Sequence, residues 1–244
     1  MQEKIYDGRH SRTERLLGKT VVENLRKSKV AVIGLGGVGS YVVEALARCG
    51  IEKFLLLDSD NVSESNINRQ IIATYDTIGM AKTDVTAKRI RSINPEAQIN
   101  SYQLFLGKET IDSVDFTGCD YIVDAIDNIT AKILLIEKAK ALNIPIICSM
   151  GTGNKLNPMA FEIADISKTS VCPLARVMRR ELKARGISGV DVVFSKENPC
   201  EIDSDSDELA KNIPASVSFV PSAAGLLIAS HIVRKIYSPF VEND

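Results

Sequence analysis

The strongest constraint on this chain lies between Val30 and Asp60. There Val-Ala-Val-Ile runs into Gly34-Leu-Gly36-Gly37-Val-Gly39-Ser, and a second apolar run, Phe-Leu-Leu-Leu, ends at Asp58. Gly34, Gly36 and Gly39 form G-x-G-x-x-G, and Asp58 stands nineteen residues beyond Gly39. That spacing predicts a strand, a tight glycine turn, a helix and a second strand. Glycine lets the turn bend and lets phosphates approach bare backbone, while the helix amino end offers unpaired N–H groups and partial positive charge. Asp58, at the carboxyl end of its strand, is placed to accept hydrogen bonds from ribose hydroxyls. The stretch predicts a bound nucleotide without saying which one.

The alternation continues downstream. Helix is expected around Lys82 to Ser92, strand over Gln98 to Phe105, strand over Tyr121 to Ala125, helix from Thr130 to Leu142 and strand from Pro145 to Met150. After Gly151 the rhythm changes: an edge strand over Ala160 to Ile166, a helix over Pro173 to Arg185, a strand over Val190 to Ser195, an acidic loop from Glu201 to Glu208 and a closing helix over Ser222 to Tyr237. The expected fold is α/β: a Rossmann-like, mostly parallel sheet with a nucleotide-binding glycine loop, extended by a mixed or antiparallel carboxyl-terminal region. No linker divides the chain, so one domain is expected over 1–244. It would include a basic amino-terminal arm (1–27) and a substrate and dimer region (160–244).

Composition removes several alternatives. A net charge of −1 gives no global basic field, so a nucleic-acid partner would need a local patch. Five cysteines, an odd number spaced at least 24 residues apart, argue against a disulfide framework, and no C-x-x-C pair is present for zinc. The amino terminus shows no apolar signal region, which favours a cytoplasmic location. Asn212 to Val233 lacks Asp, Glu, Lys and Arg, yet holds Pro214 and Pro221 and an apolar core far shorter than the roughly 20 residues a span needs. A core helix or subunit contact is expected there, with no membrane partner.

The glycine loop alone would also suit nicotinamide or flavin enzymes. Its neighbours favour a triphosphate: Asn66 and Arg69 soon follow Asp58, Lys82 opens a helix, and Asp127-Asn128 stands at the mouth of the fourth strand. In an open α/β sheet those strand ends converge on one crevice. Arginine and lysine clamp phosphates and a hard carboxylate suits Mg²⁺, whereas a dinucleotide has only a diphosphate to neutralise. Asp127-Asn128 also fits a plain helix cap.

Gly-Leu-Gly-Gly-Val-Gly-Ser, Leu-Asp-Ser-Asp60, Ser-Asn-Ile-Asn-Arg-Gln, Gly79-Met-Ala-Lys82 and Asp127-Asn128 resemble the motifs of the ubiquitin-activating-enzyme-like adenylyltransferases. These include the activators of sulfur-carrier proteins, and the match covers roughly residues 8 to 165. The resemblance implies ATP and Mg²⁺ as cofactors. Gly34, Gly36 and Gly37 would approach the nucleotide, with Asp58 on the ribose and Asp60 and Asn128 nearby. Asn66, Arg69 and Lys82 would bind phosphates, and Asp127 would hold the metal. Arg12, in Ser11-Arg12-Thr-Glu-Arg, matches an arm arginine that reaches the partner subunit's ATP, which implies a homodimer. Arg12, Arg69, Lys82 and Asp127 are the implied catalytic set, although Arg12 also suits a simple salt bridge between arm and body.

Within that family the carboxyl-terminal third resembles the branch that dehydrates threonylcarbamoyladenosine beside the anticodon of tRNA. The matching pieces are Pro173-Leu-Ala-Arg176, Arg179-Arg180-Glu-Leu, Val192-Val-Phe-Ser195 and Phe219-Val-Pro-Ser-Ala-Ala-Gly225. Cys172 is a departure, because that branch has an Asp before the proline. The alternative within the family is activation of a small sulfur carrier ending in Gly-Gly, which leaves a cysteine desulfurase or sulfur acceptor open as a partner. Arg176, Arg179, Arg180 and Lys183 recur at helical spacing opposite Leu174, Val177, Met178 and Leu182. That pattern fits an RNA backbone, or an ordinary solvated helix face.

Overall fold

A computed structural model describes residues 8–201 and 214–237. Most of the acidic loop therefore lies outside the described residues. The amino-terminal region is two short helices, α1 (Ser11–Leu17) and α2 (Lys19–Lys27), separated at Gly18. It is docked and not free: Val21, Val22 and Leu25 are buried, and Arg9 donates to the Ile93 carbonyl and to Asn94 at 3.1 Å each.

Then follow β1 (Lys29–Ile33), α3 (Gly39–Cys49), β2 (Lys53–Leu57), α4 (Lys82–Ile93), β3 (Gln98–Tyr102), β4 (Tyr121–Asp124), α5 (Ile129–Ala141) and β5 (Ile146–Ser149). The last third supplies β6 (Phe161–Asp165), α6 (Pro173–Ala184), β7 (Asp191–Ser195) and α7 (Phe219–Tyr237). One seven-stranded sheet runs β3-β2-β1-β4-β5-β7-β6. Every neighbouring pair is parallel except β6 with β7, so the expected mixed extension is present.

Both faces of the sheet are covered, which is why its central strands read as unbroken apolar runs. Val30 and Val32 of β1 join the cluster formed with α3 and α7, whereas Ala31 and Ile33 join the one formed with α5 and α6. Gly225 brings α7 close to α3; a Cβ there would stand 2.6 Å from the Val38 carbonyl oxygen. By length and composition α7 could cross a membrane, yet Val220, Ala224, Ile228 and Ile232 are buried in the core.

Two boundaries differ from the sequence reading by three residues. Strand three stops at Tyr102 and not at Phe105, because its one sheet partner among the described residues, β2, ends at Leu57 opposite Tyr102. The following Leu104 and Phe105 turn instead across the strand ends. Helix α7 begins at Phe219, ahead of Pro221, since proline is tolerated in a first turn whose N–H groups have no intrahelical acceptor.

Candidate active site

Strand order reverses between β1 and β4, and in such sheets the crevice lies outside the carboxyl ends at that point. A cleft of about 700 Å³ opens there, a size suited to a nucleotide. Gly34, Gly36, Gly37, Asp58, Asp60, Asn66, Arg69, Lys82 and Asp127 all line it, so nine of the expected residues converge.

The glycine turn is dictated by the chain's own backbone. Gly34 has φ +89°, and a Cβ on it would meet the Ala125 carbonyl oxygen at 2.6 Å; a Cβ on Gly39 would lie 1.8 Å from the Gly34 carbonyl oxygen. The first and third glycines thus serve strand–helix packing, and Gly36 and Gly37 face the cleft. No side chain caps α3, which leaves its amino end available to an anion.

Asp58 is buried and anchors this loop. Its Oδ2 accepts the Leu35 N–H at 2.6 Å and its Oδ1 accepts the Asp60 N–H at 2.9 Å. A carboxylate has about four lone-pair sites, so ribose hydroxyls can still be accepted. Lys82 is buried in its stem and donates to Asp60 Oδ2 at 2.8 Å. That hydrogen bond holds the Asp60 carboxyl below its ordinary range. Asn66 is buried within a capping box, its Oδ1 accepting the Ser63 N–H. The Arg69 guanidinium donates to the Ser65 carbonyl at 2.9 Å and to Asn68 Oδ1 at 2.8 Å.

Asp127 and Asn128 separate in role. Asn128 is the cap, its Oδ1 accepting the Ala131 N–H at 3.0 Å, and it does not line the cleft. The sequence reading places it near the nucleotide; here its Oδ1 is committed to the cap and the residue stands outside the cleft lining. Asp127 lines the cleft, and its carboxylate has no protein partner among the described residues. Mg²⁺ keeps several waters and takes one or two carboxylates plus phosphate oxygens, so a lone free carboxylate fits it. Among the described residues no group of three acidic, histidine or cysteine side chains forms a full cage.

Arg12 lies on α1, exposed and outside the cleft lining, and its guanidinium has no partner among the described residues. Among those residues Arg12 makes no salt bridge to the body; the arm's ion pair with it runs from Arg26 to Glu52 at 3.9 Å. On α6, Arg176, Arg180 and Lys183 are exposed, while Ala175, Met178 and Leu182 are buried. Arg179 is half-buried, with its guanidinium on the Thr169 hydroxyl and carbonyl. It is the member of the quartet that the fold partly consumes. Arg180 donates to Glu181 at 3.0 Å, leaving Arg176 and Lys183 without a protein partner among the described residues. Cys172 occupies the cap position of α6 without a capping hydrogen bond, as expected where an Asp is missing.

Sequence reasoning missed part of the wall. Leu104, Phe105 and Leu106 supply an apolar side, and Ser149 to Gly153 line the cleft from the end of β5. The strand-end rule signals the second group, whereas nothing local signals the first. Pro214 and Ser216 also line the cleft, held there by Asn154, which exchanges two hydrogen bonds with Ala215, and by Asn68, which donates to the Ser216 carbonyl at 3.0 Å.

The ThiF family matches residues 9–243. A tRNA threonylcarbamoyladenosine dehydratase of Bacillus subtilis (strain 168) is 44% identical over 237 residues, covering 93% of each chain. The enzyme of the same name from Escherichia coli (strain K12) is 34% identical, covering 92% of this chain and 91% of its own. The crystal structure of the E. coli tRNA N6-threonylcarbamoyladenosine dehydratase, TcdA, in complex with ATP superposes with a TM-score of 0.89 at 31% identity, covering 100% of both chains.

Proposed function

As the chain belongs to the ThiF family, we propose that it is an ATP-dependent tRNA threonylcarbamoyladenosine dehydratase that works by adenylating the threonyl carboxylate. The observation that carries this reading is the convergence of the glycine loop, Arg69, Lys82 and a free Asp127 on one cleft. It is supported by relatives of that name that match nearly the whole chain.

A carboxylate resists attack because it is already negative and would have to expel hydroxide, whose conjugate acid has a pKa of about 15.7. In the proposed reaction its oxygen attacks the α-phosphorus of ATP and pyrophosphate leaves. The neighbouring carbamoyl group then closes onto the activated carbonyl and AMP leaves, for a net loss of one water. The protein supplies no nucleophile. Its backbone at Gly36 and Gly37 admits the phosphates, Asp58 orients the ribose, and Arg69 and Lys82 offset phosphate charge; such positioning is the main contribution in phosphoryl transfer. Asp127 would hold Mg²⁺, which supplies further charge neutralisation at the phosphates. Lys82 meets phosphate by exchanging its Asp60 partner for a ligand oxygen.

Arg176 and Lys183 lie on the same helix as Leu174, which lines the cleft. They provide local positive charge for the anticodon arm on a chain of net charge −1. Arg12 serves the second site of a homodimer. Five free cysteines fit a reducing cytoplasm.

Incubating modified tRNA with protein, ATP and Mg²⁺ should convert threonylcarbamoyladenosine to a species one water lighter by nucleoside mass spectrometry. An unchanged spectrum, with pyrophosphate exchange stimulated by a sulfur-carrier protein instead, would replace this reading. For the dimer, Arg12→Ala and Lys82→Ala proteins should each be inactive. Mixed and re-equilibrated, they should recover about a quarter of wild-type turnover, because half the pairs are mixed and each holds one intact site. No recovery would refute the shared site.

A further inference from the structure

Beneath the cleft lies a charged pair that the proposed chemistry does not touch. Lys132 and Asp124 are both fully buried, with Lys132 Nζ 3.0 Å from Asp124 Oδ1 and 2.7 Å from the Ser149 carbonyl oxygen. Asp124 Oδ1 also accepts the Ile126 N–H at 3.1 Å, while its Oδ2 is buried without a hydrogen-bond partner. The adjoining Cys148 thiol is wholly enclosed, and burial, reinforced by the Asp124 charge, pushes it well above its ordinary range.

Stability is a poor reason for this arrangement. Enclosing two charges forfeits their hydration, and apolar residues of similar volume commonly serve a fold equally well or better. Position is the better reason. Asp124 is the last residue of β4 and Ser149 the last of β5, and these are neighbouring parallel strands. Each leads straight into the cleft wall, one through Ala125 to Asp127 and the other through Met150 to Gly153. Lys132 sits in the first turn of α5, whose cap immediately follows Asp127. One ammonium therefore ties two strand ends and a helix start together, and the Asp124–Ile126 bond fixes the turn that presents Asp127.

We infer that Lys132 is a positioning residue for the adenylation step: through Asp124 and Ser149 it holds the Asp127 turn and the β5 exit in register with the glycine loop. The inference rests on the adenylation reading above, since it assumes that Asp127 faces the phosphates.

The test is the double variant Asp124→Asn/Lys132→Met in the full chain. It keeps the side-chain volumes and the acceptor for Ile126, and removes both charges and the link to Ser149. Its thermal midpoint should stay at or above that of the wild type, and its Kd for ATP, by calorimetry, should stay within about threefold. Its kcat should fall on the order of 10²-fold, the cost of roughly 1 Å of misplacement. Wild-type kcat would overturn the inference, and so would a parallel fall in midpoint, ATP affinity and kcat, which marks a merely structural pair. If the double variant does not fold, Lys132→Arg keeps the charge balance but moves the donor; it should lower kcat with ATP affinity unchanged, and wild-type kcat again refutes the idea. Asp127→Ala, assayed alongside, separates the two readings. Normal turnover there sinks the adenylation site itself, whereas an inactive Asp127→Ala beside a fully active double variant sinks only the positioning role.

Discussion

Two lysine–aspartate pairs flank the same cleft, and they differ in what surrounds them. In Lys82–Asp60 the carboxylate side chain is 63% exposed, whereas in Lys132–Asp124 both partners are 0% exposed. The first pair stands where a phosphate would arrive. Its lysine stem is buried, so the ammonium is aimed, but the partner is solvated and can be exchanged at little cost. The second pair lies under the strand ends, where neither partner can find water if the other is lost. By the readings proposed above, the same two residue types thus yield an exchangeable ligand contact in one setting and a permanent brace in the other. Solvent access decides which.

The comparison breaks most readily at Lys82. Lys82→Ala should lower turnover on the order of 10³-fold, as the loss of a cation that neutralises transferring phosphate does, while the thermal midpoint moves little. Turnover near wild type would remove Lys82 from the site. Next in size, Lys132→Ala alone should cost about 3–5 kcal/mol in urea unfolding, because it strands the Asp124 carboxylate in the core. Its counterpart, Asp60→Asn, should cost less than about 1 kcal/mol, as solvated pairs do. Equal costs for the two would mean that exposure does not distinguish them.

Acid gives the smallest and most diagnostic contrast. His10 is lowered from its ordinary pKa by burial, with Arg9 and Arg26 adding repulsion. His231 is lowered by burial although Asp191 opposes the shift. A depressed folded-state pKa means that the unfolded chain binds protons first, so this stability is complete above about pH 6.5 and declines as pH falls through the folded values. Asp60, held down by Lys82, contributes stability that is present above about pH 4 and lost only below it. Unfolding titrations between pH 7 and 5 should therefore show a decline that disappears in a His10→Gln/His231→Gln protein. A decline that persists there would assign it to other groups.

The local part of this architecture was legible in the residues. Gly34 and Gly39 sit where a positive φ and a backbone contact exclude any Cβ, so their spacing announces the turn before the fold is known. Apolar runs and helix signals placed β1, β2, β4, β5 and α3 to α6 close to their observed bounds. The wall formed by Leu104 to Leu106 was not legible. A short apolar stretch after a strand reads as more strand until the neighbouring strand is seen to end.

Asn128 and Arg179 show the same limit from the other side. Their residue types suit a ligand, but a helix cap in one case and the Thr169 hydroxyl in the other already use them. The chain's order of residues decided the nucleotide turn, the alternation of strand and helix, and the set of charged groups able to meet a triphosphate, because local sterics and periodicity act over a few residues. Tertiary packing alone decided which lysine has a solvent-exposed partner and which is enclosed with its own, because burial depends on neighbours far away along the chain. Lys132 meets Ser149 across seventeen positions, and nothing in its immediate surroundings in the sequence distinguishes it from a solvated lysine.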